Sequence, residues 1–208
     1  MAQMAGEDGM DNKLLFDKAV SYITALFKDN SGGHGTDHTL RVYRNAMYIA
    51  KNEHGCDKEA VGLAALLHDA DDYKLFKTVD NSHARAFLRE NGFSPVRIDE
   101  ICKIINSVSF SQNKGKTPDS IEGKVVQDAD RLDAIGAVGI ARTFAYGGEN
   151  GRTMGESITH FYDKLLLLRD LMNTETAKRI AIIRHEFMEL YLKELFTELK
   201  IDINKDGR

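Results

Sequence analysis

Cysteine and proline are scarce in this chain, and each scarcity removes a class of structure. The two cysteines, Cys56 and Cys102, form no metal-ligand spacing. They exclude a disulfide framework and a zinc ribbon, and are expected as reduced, partly buried thiols. The two prolines, Pro95 and Pro118, are too few for a proline-rich linker, and no serine-rich linker or internal repeat stands in for one. No stretch approaches the roughly 18 consecutive apolar residues of a membrane span. The segment 1–12 also lacks the basic start and apolar middle of a secretory leader, so no membrane association and a cytoplasmic location are expected. Positive charge is not in excess either. A formal net charge of −4 gives the whole molecule no reason to bind nucleic acid, although a local basic pocket can still take a small anion.

What is present is ordinary for a globular chain: 42% hydrophobic and 29% charged residues over 208 positions, enough for one domain with a sizeable core. The pattern is helical nearly throughout. Leu15, Ala19, Ile23, Leu26 and Phe27 recur at helical spacing. A second helix is predicted over about 37–53, with Val42, Ala46, Ile49 and Ala50 on one face and Gly55 as its stop. A third, over about 58–68, is richer in Ala and Leu and should be more completely buried. Ser94-Pro95 and Thr117-Pro118 each read as a cap followed by proline in the first turn, predicting helices near 95–108 and 118–132. Gly147 to Gly151 reads as the clearest late loop, ahead of two long helices over about 153–171 and 175–200. The expected organisation is an N-terminal tail over 1–12 without structure, one all-α domain over 13–200 and a polar tail over 201–208.

Within this pattern, charged residues interrupt apolar helical runs at three places. His38 opens the second helix in Asp37-His38-Thr39-Leu40-Arg41-Val42. His68 and Asp69 end the third in Leu66-Leu67-His68-Asp69-Ala70-Asp71-Asp72. Asp130 lies in Asp128-Ala129-Asp130-Arg131-Leu132-Asp133. Such groups are costly to desolvate, and a bound cation is the usual compensation. Two imidazoles and two carboxylates from His38, His68, Asp69 and Asp130 balance a divalent ion. The mixed nitrogen and oxygen set suits Mn, Fe, Co, Ni or Zn better than Ca, with Mg also open. Adjacent His68 and Asp69 point about 100° apart on a helix, so both reach one ion only where the helix ends beside it.

The order His … His-Asp … Asp resembles the HD superfamily of metal-dependent phosphohydrolases. The resemblance runs from about residue 33 to about 145, and the later segments 157–170 and 173–189 are similar to the C-terminal helices of a bacterial subgroup of small single-domain members. It implies a helical bundle with additional C-terminal helices over 153–200. It also implies one divalent ion on His38, His68, Asp69 and Asp130, with Asp128 and Asp133 competing for the last place. The preference for Asp130 follows the family habit of placing this ligand immediately before Arg-Leu. Related hydrolases often carry an acidic general acid/base four residues after the motif histidine. Here that residue is Asp72, where many relatives have Glu, and Asp71 is its alternative.

Cationic and imidazole neighbours of these motifs are candidates for holding phosphate: His34, Arg41, Lys74, Lys77, His83, Arg131 and, more weakly, Lys164 beside His160. His54 and His185 read as structural or exposed. The glycines at 147–151 lack the spacing and preceding strand of a phosphate loop. The tail from Asp202 stops before the glutamate of a calcium loop, and no Gly-x-Ser-x-Gly elbow occurs. The resemblance therefore implies hydrolysis of a small phosphorylated substrate, a nucleotide, with cleavage of a nucleoside triphosphate to monophosphate and pyrophosphate favoured. The alternatives are a phosphomonoesterase, a cyclic-nucleotide phosphodiesterase or a non-catalytic nucleotide-binding module, acting as monomer or homodimer.

Overall fold

Ser94 and Pro95 open a helix in the way their chemistry predicts. The Ser94 hydroxyl accepts from the Arg97 N–H at 3.3 Å, and Pro95 fills a first-turn place that needs no donor. The computed structural model describes residues 4–28, 35–73, 75–109, 113 and 116–199, with side chains from residue 12 onward. Among the described residues every regular element is helical, so the chain is all-α as its periodicity predicts.

The chain divides into two compact units, residues 1–130 and 131–208. The first holds α1 (Met4–Leu26), α2 (Thr36–Asn52), α3 (Lys58–Leu67), α4 (Ser82–Glu90), α5 (Pro95–Val108) and most of α6 (Ile121–Asp133). At its centre is α3, which packs against α1, α2 and α5; every residue from Ala60 to Leu67 is buried. A helix apolar on all sides is stable only with neighbours all round. The Asp57 carboxylate caps it, accepting from the Ala60 N–H at 3.0 Å. Gly55, at φ +72°, turns the chain between α2 and α3 in the left-handed region where glycine is least strained.

Beside that cap, burial pushes the Cys56 thiol up to about 11, helped by the carboxylates of Glu122 and Asp57. A thiol ordinarily near 9 would hold roughly 100-fold more thiolate at pH 8. Alkylation of Cys56 is therefore expected to be slow at pH 8 and to accelerate with pH toward about 11, as peptide mass mapping would show. Labelling at pH 8 as fast as a free thiol would contradict this. Cys102, on α5, is buried, and burial raises its thiol as well.

The second unit holds the end of α6, α7 (Gly136–Glu149), α8 (Met154–Asp163), a 3-10 helix (Leu165–Leu171) and α9 (Glu175–Glu198), packed around Phe161, Leu168 and Met188. A side chain at Gly139 would place its Cβ 2.2 Å from the Ala134 carbonyl oxygen, a backbone atom that cannot step aside. Gly139→Ala is expected to cost about 2 kcal/mol or more, read as a lowered Tm in thermal melts. An unchanged Tm would show that the backbone there yields.

Four sequence expectations need correction. The helix α1 begins at Met4, inside the segment 1–12 expected to lack structure. Alanine, methionine and acidic residues at its start suit a helix N-terminus despite two glycines. Thr117-Pro118 does not open α6. That helix starts at Ile121, and the Ser120 hydroxyl accepts from the Gly123 N–H at 3.0 Å. The glycines expected as a late loop partly belong to α7, which runs to Glu149; a Cβ at Gly147 would meet the Ser157 Oγ at 2.5 Å. The helix expected over 153–171 stops at Asp163 and continues as the 3-10 turns of Leu165–Leu171, after a Thr153–Glu156 capping box at its start.

Candidate metal centre

Three elements of the first unit bring the motif residues together. His38 comes from the first turn of α2 and is buried. His68 and Asp69 come from the turn that ends α3 at Leu67, which resolves the divergence of adjacent side chains on a helix. Asp130 comes from the late part of α6. The Asn45 amide donates to the Ala129 carbonyl at 3.3 Å, tying α2 to α6 one residue before Asp130.

One ligand atom each from His38, His68 and Asp130 lie within 4.8 Å of one another, the spacing of donors around a shared ion. The Asp69 carboxylate lies against both imidazoles. Its Oδ2 is 3.5 Å from His38 Nε2 and its Oδ1 is 3.4 Å from His68 Nε2. Asp130 Oδ1 is 3.4 Å from His38 Nε2. A histidinium held by carboxylates would draw them to about 2.7–2.9 Å, so these contacts are long for ion pairs. Donors that converge at this spacing fit ligands arranged about a common cation.

His68 supplies the sharper test of fit. Its Nδ1 is 2.9 Å from the Ala65 carbonyl, which can only accept, so Nδ1 carries the proton and Nε2 presents a lone pair. That buried Nε2 has no hydrogen-bond partner. An orphaned buried nitrogen with its tautomer set from behind is what a ligating histidine requires. Of the competing aspartates, Asp128 is fully buried, and Asp133 is buried and paired with Arg142 within the second unit. Asp130 is the one that joins the imidazole cluster.

The acidic turn after His68 gives different surroundings to Asp72, the expected general acid/base, and to its alternative Asp71. Asp71 Oδ1 accepts from the His83 N–H at 3.0 Å and Oδ2 from the Ala84 N–H at 3.1 Å, so its carboxylate closes the N-terminus of α4. His83 Nδ1 lies 2.8 Å from the Ala70 carbonyl and 3.3 Å from Asp71 Oδ1, and its ring edge packs on Phe76. Asp72 is half-buried, with its backbone pinned on both sides: its N–H donates to the Asp69 carbonyl at 3.1 Å and its carbonyl accepts from Phe76 at 2.8 Å.

The remaining cationic candidates scatter. Arg41 is half-buried on α2, one turn after His38, and Lys77 is exposed in the chain leading to α4. His34 and Lys74 lie outside the described residues. Arg131 is buried in the second unit and donates to the Leu171 carbonyl, so this guanidinium holds backbone rather than facing solvent. Lys164 ends α8, where burial first, then Lys164 and Arg152, hold the His160 imidazole below its usual value. His54 is exposed, and His185 is buried beside Glu189 at 3.3 Å. Two supports escaped the sequence reading, the Asn45–Ala129 tie and the Asp71 closure of α4. Both join residues far apart in the chain, and no periodicity announces them.

Residues 35–135 match the family model described as HD domain, and a curated relative, YpgQ of Bacillus subtilis strain 168, is 42% identical over 184 residues, 84% of this chain and 89% of its own. This chain belongs to the HD-domain superfamily. The HD fold is similar to that of the crystal structure of Bacillus subtilis YpgQ in complex with ADP. That likeness has a TM-score of 0.76 at 40% identity, over 88% of this chain and 97% of that one. It is also similar to a Bacillus thuringiensis HD-superfamily hydrolase, with a TM-score of 0.76 at 35% identity, over 92% of this chain and 100% of that one. The HD match spans His38, His68, Asp69 and Asp130, and no helix among the described residues is long and apolar enough to cross a membrane.

Proposed function

We propose that this HD-domain protein is a divalent-metal-dependent phosphohydrolase that converts a nucleoside triphosphate to its monophosphate and pyrophosphate. The observation that carries the reading is the convergence of His38, His68 and Asp130 on one point, with the buried His68 Nε2 lacking a hydrogen bond. The ADP complex of Bacillus subtilis YpgQ, a relative by sequence, supports a nucleotide as the ligand class.

Held by His38, His68, Asp69 and Asp130, a divalent ion would offset charge on a phosphoryl oxygen and make a neighbouring water more acidic. The residues do the rest. The Ala65 carbonyl keeps His68 in the tautomer that offers Nε2. Asp72, on a backbone fixed from both sides, accepts the proton as water attacks. The water oxygen bonds to the α-phosphorus, the bond from that phosphorus to the bridging oxygen breaks, and pyrophosphate leaves. Asp71 keeps the acidic turn against α4 and so positions Asp72. Arg41, Lys77 and His83, with His34 and Lys74, are assigned to the phosphates. Arg131 is not, since its guanidinium is buried and donates to the Leu171 carbonyl.

The test is product analysis by anion exchange after incubation with nucleoside triphosphates and Mn, Co, Ni or Mg. Monophosphate and pyrophosphate in equal amounts, lost on chelation, are expected. Inorganic phosphate alone or a ring-opened cyclic nucleotide would replace the bond assignment, and tight nucleotide binding without turnover under every metal would remove the catalytic reading.

A further inference from the structure

The helix α9 is apolar on two opposite sides. Ala177, Ala181, Met188 and Leu192 face inward and are buried. About half a turn around the helix, Ile183, Phe187 and Leu190 recur at spacings of four and three residues, and all are exposed, Ile183 at 70% and Leu190 at 64%. Single exposed apolar residues are normal; a contiguous row of large ones on a regular element marks an interaction site.

The ends of the row carry opposite charges. Arg179 lies four residues before Ile183 and Glu194 four residues after Leu190, both exposed and on the same side. This pattern is self-complementary. Laid antiparallel on a second copy of itself, α9 places Ile183 against the partner's Leu190 and Phe187 beside the partner's Phe187. Arg179 then meets the partner's Glu194 at both ends at once. A two-fold axis between positions 186 and 187 generates every one of these contacts, as an isologous interface requires. Parallel pairing would set Arg179 against Arg179 and Glu194 against Glu194. Glu186 lies on the flank of the row, where its carboxylate stays in water. A foreign partner would need its own matching charges, whereas a second copy of this chain carries them already.

We infer that the outward face of α9 is the interface of a homodimer, formed by antiparallel packing of Ile183, Phe187 and Leu190 and bracketed by reciprocal Arg179–Glu194 pairs. None of these residues belongs to the metal centre, so dimerisation and hydrolysis are separable.

The experiment is sedimentation velocity on the full chain across a concentration series, with circular dichroism as the control for folding. Wild type is expected to sediment as a dimer. Ile183→Asp, which adds a charge at an already exposed position, should shift it to monomer with unchanged helix content. Arg179→Glu and Glu194→Arg should each weaken the dimer by setting like charges at both ends, and the double exchange should restore it. A wild type that stays monomeric overturns the proposal, including the case in which another protein or the chain's own tail covers this face. A dimer unmoved by Ile183→Asp, or single charge variants that the double exchange fails to rescue, also overturns it.

Discussion

His68→Ala is expected to abolish stoichiometric binding of a divalent ion and to slow nucleotide hydrolysis by roughly 10³-fold or more, since several kcal/mol of charge stabilisation disappear with the ion. The argument starts from one atom. His68 Nε2 is buried without a hydrogen bond, and in the neutral imidazole the bond from Nδ1 to Ala65 leaves it presenting a lone pair. A nitrogen left in that state costs stability unless a cation completes it. The alanine variant removes both the cost and the ligand. Its apo form should therefore melt close to the apo wild type, while the stabilisation of wild type by added metal disappears. Asp69→Ala should behave alike in activity but worse in stability, because His38 and His68 then lose the carboxylate that lies against both. Elemental analysis and steady-state kinetics on the purified variants check this. Turnover retained in metal-free His68→Ala would contradict it.

The two neighbouring aspartates should divide sharply. Asp72→Asn removes the group assigned to the proton, and kcat should fall about 10²–10⁴-fold with metal still bound. Asp71→Asn keeps one oxygen able to accept from an α4 amide and loses the other. Stability should drop by about 1 kcal/mol, with a fall in kcat of less than roughly tenfold. Measuring kcat, metal stoichiometry and Tm on both variants separates the roles. If Asp71→Asn were the inactive one while Asp72→Asn kept its rate, the assignment would be reversed.

How much of this was legible beforehand follows from the range of the interactions. Helices whose signals are local were readable: Ser94-Pro95 at α5, Gly55 after α2, and the apolar run of α3. The candidate ligands His38, His68, Asp69 and Asp130 were nameable because each interrupts an apolar run in a recognisable order. Local signals misled at two places. Gly147 stays within α7 with the Ser157 Oγ close against it, and a nearer cap, Ser120, displaces Pro118 as the helix start. The distinct surroundings of Asp71 and Asp72 were invisible in sequence, since they depend on α4 returning its N-terminus to the turn. Arg131 looked like a phosphate ligand from its position beside Asp130. Its burial on the Leu171 carbonyl arises from a contact 40 residues away.

The measurement that tests the central claim most directly is anomalous diffraction from crystals of the protein grown with Mn and collected above the metal edge. One peak is expected, about 2.0–2.3 Å from His38 Nε2, His68 Nε2 and Asp130 Oδ1, with an Asp69 oxygen in the same shell. A peak bound by other residues, or none at these atoms under saturating metal, would contradict the account.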